Sequence, residues 1–191
     1  MIFIERNYTM KTRSALILTW SGYQDQEVIY PYYRLLGAGY KVSIVGDKRD
    51  NLNRIYGIFG VNMPCHFTIS DLLEGKKSML DKYDLLILPG GVKALEKLRL
   101  EKGVIDFIVD WNRLNKVISS TCHGAQLLIS AKIISNKKVA GYYSIEDDIN
   151  NAGAEYSREP FVISENIISS PHYDHMGIWM EKTLELHRDW K

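Results

Sequence analysis

Four short apolar runs, residues 15–18 (ALIL), 42–45 (VSIV), 85–88 (LLIL) and 117–120 (VISS), punctuate the first two thirds of this chain. Each is too brief for a helix and lacks the polar alternation of a strand with one wet face, so each predicts a strand buried on both faces. Segments with helical spacing lie between and after them, at 27–36, at 104–114 and again directly after Cys122. Alternating buried strands and helices specify a mostly parallel sheet covered by helices on both sides. The breaks Gly37-Ala38-Gly39 and Gly90-Gly91 fall where such a fold needs helix stops and tight loops. Residues 56–68, with Gly57, Gly60 and Pro64 among apolar neighbours, predict a small hairpin excursion. A second hairpin is expected at 161–164 and 167–170, and a closing helix at 176–188.

Composition narrows the function classes. A chain of 191 residues is the size of one ordinary domain, here expected to span 13–191 behind an N-terminal extension at 1–12. Lys plus Arg (24) against Asp plus Glu (23) leaves a formal charge of +1, too balanced to attract nucleic acid through a phosphate-seeking field. No apolar stretch approaches the about 20 residues that span a bilayer, and the charged residues Glu5 and Arg6 after a four-residue apolar run make a secretion signal unexpected. Cys65 and Cys122 are the two cysteines, which implies no disulfide framework and makes a cytoplasmic location the simpler expectation. Cys65-His66 falls short of a zinc ligand set, and no phosphate-cradling glycine pattern occurs, so no metal and no cofactor are expected.

The stretch KVISSTCHGAQLLIS, residues 116–130, runs a buried strand into Cys122 and begins a helix at once. A strand-to-helix elbow presents a nucleophile but is crowded two positions to either side, where this chain has Ser120 and Gly124, both small. The start of a helix favours a thiolate and lowers a cysteine pKa. Equally, an unpaired cysteine is often a small buried apolar residue. Gly90 and Gly91 follow the strand at 85–88 directly, so their backbone can approach a substrate oxygen at the same sheet edge. The Gly91 and His123 N–H groups would then form an oxyanion hole. Pro89-Gly90-Gly91 also reads simply as a turn. Glu27 arrives at that edge after the first strand, and Pro31 four residues on is expected to kink the helix or delay its start, leaving Glu27 in irregular backbone. Facing Cys122, its carboxyl would hold its proton and donate to the thiolate. Capping of a helix dipole is the plainer role for such a glutamate.

Four motifs in order, DQEVIYPYYRLLGAGYKV, YDLLILPGG, STCHGAQLLISA and SIEDDINNAGAEY, closely resemble the PfpI/ThiJ family. The resemblance implies a flavodoxin-like three-layer α/β sandwich, with Cys122 as nucleophile, Glu27 contacting its sulfur, and Gly91 with His123 as oxyanion donors. It implies a Cys-dependent hydrolase or lyase, peptidase-like or acting on small dicarbonyls as a glyoxalase or deglycase. Its expected partners are a small carbonyl or acyl substrate or short peptides. It further implies a homo-oligomer, a dimer or higher, in which Glu96 of a neighbouring subunit completes His123. The segment SSPHYDHMGIWM departs from the family pattern and carries His172, Asp174 and His175. By similarity to class I glutamine amidotransferases, His172 or His175 becomes an alternative general base. A redox sensor or holdase, in which Cys122 is oxidised instead of turning over, is the non-enzymatic alternative.

Overall fold

The computed structural model describes residues 13–47 and 50–190, so the extension expected at 1–12 lies outside the described residues. The strands are β1 (Ser14–Leu18), β2 (Lys41–Gly46), β3 (Arg54–Tyr56), β4 (Asn62–Pro64), β5 (Phe67–Thr68), β6 (Leu85–Leu88), β7 (Val117–Thr121), β8 (Lys138–Ala140), β9 (Glu155–Ser157), β10 (Val162–Ser164) and β11 (Ile167–Ser170). The helices are α1 (Asp25–Gly37), α2 (Ile69–Glu74), α3 (Lys76–Lys82), α4 (Val92–Leu98), α5 (Lys102–Arg113), α6 (Ala125–Ser130), α7 (Glu146–Asn151) and α8 (Met176–Asp189). Seven strands form one sheet in the order β10-β11-β7-β6-β1-β2-β5. Every pairing in it is parallel except that of β10 with β11. This is the mostly parallel, helix-covered sheet that the alternation of apolar runs predicts, and the flavodoxin-like sandwich that the family resemblance implies.

All five residues of β1 and of β7 and all four of β6 are buried, because helices cover both faces of these central strands. Their registers align Ala15 with Leu85 and Leu85 with Val117, so the three loops that leave β1, β6 and β7 emerge side by side at one sheet edge. Trp111 on α5 is fully buried and its Nε1–H donates to the Val117 carbonyl at 3.1 Å, tying the helix to the start of β7. The expected hairpin after β2 is β3–β4, and Asp25 at the head of α1 accepts from the Phe59 and Val61 N–H groups at 2.9 Å each. A carboxylate buried in this way is satisfied by backbone donors.

One expectation about α1 is corrected. The helix begins at Asp25 and runs through Pro31, so Glu27 sits in its first turn and not in irregular backbone. Pro31 removes only the bond to the Glu27 carbonyl. Burial of Val28, Pro31 and Leu35 along one face carries the helix past that loss. Among the described residues, no helix is long and apolar enough to cross a membrane.

Candidate active site

Cys122 follows the last residue of β7 and has φ +55°, the left-handed region that a non-glycine residue enters only when its surroundings enforce it. A single 3-10 turn, Cys122–Gly124, joins the strand to α6. The bend is as tight as the sequence implied. A Cβ placed on Gly124 would lie 2.1 Å from the Leu88 carbonyl oxygen, so β6 packs directly against the turn and only glycine fits there. The other small flanking residue, Ser120, is fully buried on β7.

Three backbone and side-chain groups converge on the Cys122 sulfur. The N–H groups of His123 and Gly91 act on it, and the Glu27 carboxyl lies beside it, with Oε2 held by the Gly90 N–H and Oε1 buried without a hydrogen-bond partner. Gly91 adopts φ +107°, and a Cβ there would fall 2.6 Å from the Gln24 backbone nitrogen, so a close approach between the loops after β1 and β6 demands glycine. Gly90, expected beside Gly91 as a substrate-facing donor, is otherwise engaged: its N–H donates to Glu27 Oε2 at 2.6 Å. Gly90 thus holds the acid, and of the N–H groups named from the sequence those of Gly91 and His123 are the ones that act on the sulfur.

Electrostatics follow from burial. Glu27 is completely buried and its pKa is pushed up to about 7, chiefly by loss of solvent, against the lowering effect of the Gly90 N–H hydrogen bond and the neighbouring Cys122 thiol. Cys122, 6% exposed, is also pushed up, first by burial and then by the neighbouring Glu27 charge, while the His123 and Gly91 N–H groups pull it down. The lowering expected from a helix start is therefore outweighed, since α6 is short, begins only at Ala125, and the thiol lies beneath the surface. Two negative charges in contact inside protein are costly, so Glu27 and Cys122 retain a proton between them at neutral pH.

His123 is buried and its Nδ1 lies 3.3 Å from Cys122 Sγ. Burial holds its pKa below the ordinary histidine value, favouring the neutral ring. The imidazole packs on Tyr142, with centroids 4.6 Å apart, and Tyr142 in turn stacks on His172 at 5.8 Å. The structure thus brings His172 to Tyr142, one ring farther out than His123, and pairs its Nδ1 with Asp174 at 3.1 Å. His172 is not the imidazole on the sulfur. His175 is half-buried at the start of α8, and Glu96 is exposed on α4. Sequence reasoning missed Tyr142, whose N–H donates to the Cys122 carbonyl at 3.2 Å, and Ser144, whose Oγ lies 3.4 Å from His123 Nε2. The available signal was the segment Gly141-Tyr142-Tyr143-Ser144, polar and aromatic residues inserted between an apolar strand and the acidic first turn of α7.

Comparison with known proteins identifies the family and agrees with the fold. The model of the DJ-1/PfpI family matches residues 13–186. The chain is 33% identical over 174 residues to Deglycase TK1284 of Thermococcus kodakarensis, covering 91% of this chain and 99% of that one. It is 32% identical to Deglycase PfpI of Pyrococcus furiosus, covering 90% and 97%. The solved structure of Schizosaccharomyces pombe DJ-1 superposes with a TM-score of 0.80 at 20% identity, over 90% of each chain, which extends the likeness of fold beyond the range of close sequence similarity. With nearly the whole domain matched in sequence and in architecture, the chain belongs to the DJ-1/PfpI family.

Proposed function

We propose that this protein is a Cys122-dependent hydrolase or lyase that acts on small carbonyl compounds, and that its substrates are dicarbonyls or the adducts they form with amines. The observation that carries this reading is the convergence on one sulfur of Glu27, the Gly91 N–H and the His123 N–H, at a strained turn on the strand edge. The names of the archaeal relatives, deglycases, support the substrate class.

In the proposed reaction, Glu27 holds the shared proton as the sulfur ionises. The thiolate lone pair forms a C–S bond at the aminocarbinol carbon of the adduct as the C–N bond breaks, and Glu27 gives its proton to the departing amine. Glu27, now ionised, takes the carbinol C–H proton and returns it to the adjacent carbonyl carbon, so that the carbinol carbon becomes a thioester carbonyl and its neighbour a secondary alcohol, an internal redox change with no outside oxidant. The Gly91 and His123 N–H groups stabilise the enediolate oxygen that forms on the way, each being worth about 3 kcal/mol in comparable sites. Water hydrolyses the thioester C–S bond, releasing the hydroxy acid and regenerating the thiol.

Access favours small substrates. Cys122 is 6% exposed and packs against Gly90 in the loop after β6, a confinement that favours a compact carbonyl over a folded polypeptide. The test is a paired assay of the purified protein on methylglyoxal–amine adducts and on fluorogenic peptides. Release of free amine from the adducts, without peptide cleavage, is the expected outcome; peptide cleavage alone would replace this reading with a peptidase.

A further inference from the structure

We propose that Ser144 is a positioning residue for His123, completing within a single chain a Cys122–His123–Ser144 relay in which the serine hydroxyl sets the tautomer of the imidazole. The inference rests on the reading of Cys122 as the reacting sulfur. The ring bridges the two side chains, with Nδ1 3.3 Å from Cys122 Sγ and Nε2 3.4 Å from Ser144 Oγ. Its plane is fixed by the face of Tyr142, inclined 31° to it with centroids 4.6 Å apart, and His172 stacks on Tyr142 in turn. Tyr142 also donates its N–H to the Cys122 carbonyl. The segment that carries Ser144 therefore grips both the nucleophile's backbone and the histidine ring.

A neutral imidazole has one N–H, and the hydrogen bond made by one nitrogen decides where it sits. A serine hydroxyl can donate to Nε2 or accept from it; the relay is the arrangement in which Ser144 donates, which places the ring proton on Nδ1, aimed at the sulfur. A donor in that place favours the thiolate over the thiol. Without the hydroxyl, the proton is free to move to Nε2, and the Nδ1 lone pair then faces the sulfur and favours the thiol instead. The titratable groups around the pair are Glu27 from α1, Tyr142 and Tyr143 from the turn that holds Ser144, and His172, Tyr173 and Asp174 from the turn before α8. Ser144 carries no charge, so removing its hydroxyl alters the tautomer while leaving every one of these charges in place. A carboxylate from a second copy, the role considered for Glu96, would need the same Nε2.

The experiment is peptide-resolved alkylation of Cys122 by iodoacetamide across pH in the full-length protein, which reads thiolate without needing any substrate. Ser144→Ala is expected to slow alkylation at pH 7 by about 3- to 10-fold and move the profile to higher pH, since tenfold corresponds to one pKa unit. Ser144→Thr should keep the wild-type profile, as should Glu96→Gln. A Ser144→Ala profile superimposed on wild type, or an equal displacement by Glu96→Gln, overturns the proposal. Histidine-labelled wild type gives a second reading by ¹H–¹⁵N correlation, with the His123 signal assigned by its loss in His123→Gln. Protonated Nδ1 is expected; protonated Nε2 overturns the relay whether or not the variants fold. Because both measurements work on the unliganded protein, failure to turn over any carbonyl substrate would sink the hydrolase reading while leaving this one to stand or fall separately.

Discussion

Gly90 and Glu27 are locked together across the sheet edge: the Gly90 N–H donates to Glu27 Oε2 at 2.6 Å, and a Cβ at position 90 would lie 2.5 Å from that same oxygen and 2.8 Å from Cys122 Cβ. One residue without a side chain thus creates the space in which acid and sulfur meet.

Gly90→Ala should therefore displace Glu27 or Cys122, which have no room to retreat in a buried site. The expected cost is about 2–3 kcal/mol of stability, as for other overpacked interiors, together with a Cys122 alkylation profile moved to lower pH as the Glu27 carboxyl that raises the thiol is pushed away. Urea denaturation and peptide-resolved alkylation check the two parts.

The raised pKa of Glu27 has a signed consequence for stability. Its folded value of about 7 exceeds the ordinary 4.5, so the folded state binds the proton more tightly than the unfolded chain. The contribution is fully present below pH 4.5 and is lost as pH rises through about 7. Wild type should lose up to about 3 kcal/mol over that window from this group, and Glu27→Gln should flatten the slope. Denaturation midpoints measured between pH 4 and pH 8 decide it; parallel curves for the two proteins would remove Glu27 as the titrating group.

Strain at Cys122 gives a prediction that separates backbone from side chain. With φ at +55°, glycine should suit position 122 better than alanine. Cys122→Gly is expected to be more stable than Cys122→Ala by about 1 kcal/mol, reversing the usual order, with both unreactive to iodoacetamide. Thermal unfolding of the pair is the check.

Gly124 is restricted by contact and not by φ, since it lies in the ordinary helical region at −54°. A methyl group there meets the Leu88 carbonyl at 2.1 Å, and backbone cannot give way as a side chain can. Gly124→Ala should cost about 3 kcal/mol or more and separate β6 from the turn, seen as a lowered urea midpoint.

The architecture was legible because its strands are unbroken apolar runs. Leu85–Leu88 is buried throughout and was readable from four letters, LLIL. The short pieces escaped detection: β8 and β9 have three residues each, and α7 six, too few to show a period. Cys122, Gly124 and Gly91 were readable because a tight bend admits only certain residues. Two things were not readable. The sequence does not report solvent, so burial raising the thiol was hidden behind the expected pull of the helix start. Nor does it reveal contacts made over distance, such as Gly90 with Glu27 or Ser144 with His123, separated by 63 and 21 positions. Pro31 misled for a different reason, since a local rule about helices was overridden by burial of the face it occupies.

The central claim, that the Cys122 sulfur is the reacting atom of an enzyme, is tested most directly by multiple-turnover release of free amine from a methylglyoxal–amine adduct, comparing wild type with Cys122→Ala at matched folded concentration. The account predicts many turnovers per molecule of wild type and a rate for Cys122→Ala equal to that of buffer. A Cys122→Ala protein that turns over at the wild-type rate would contradict it.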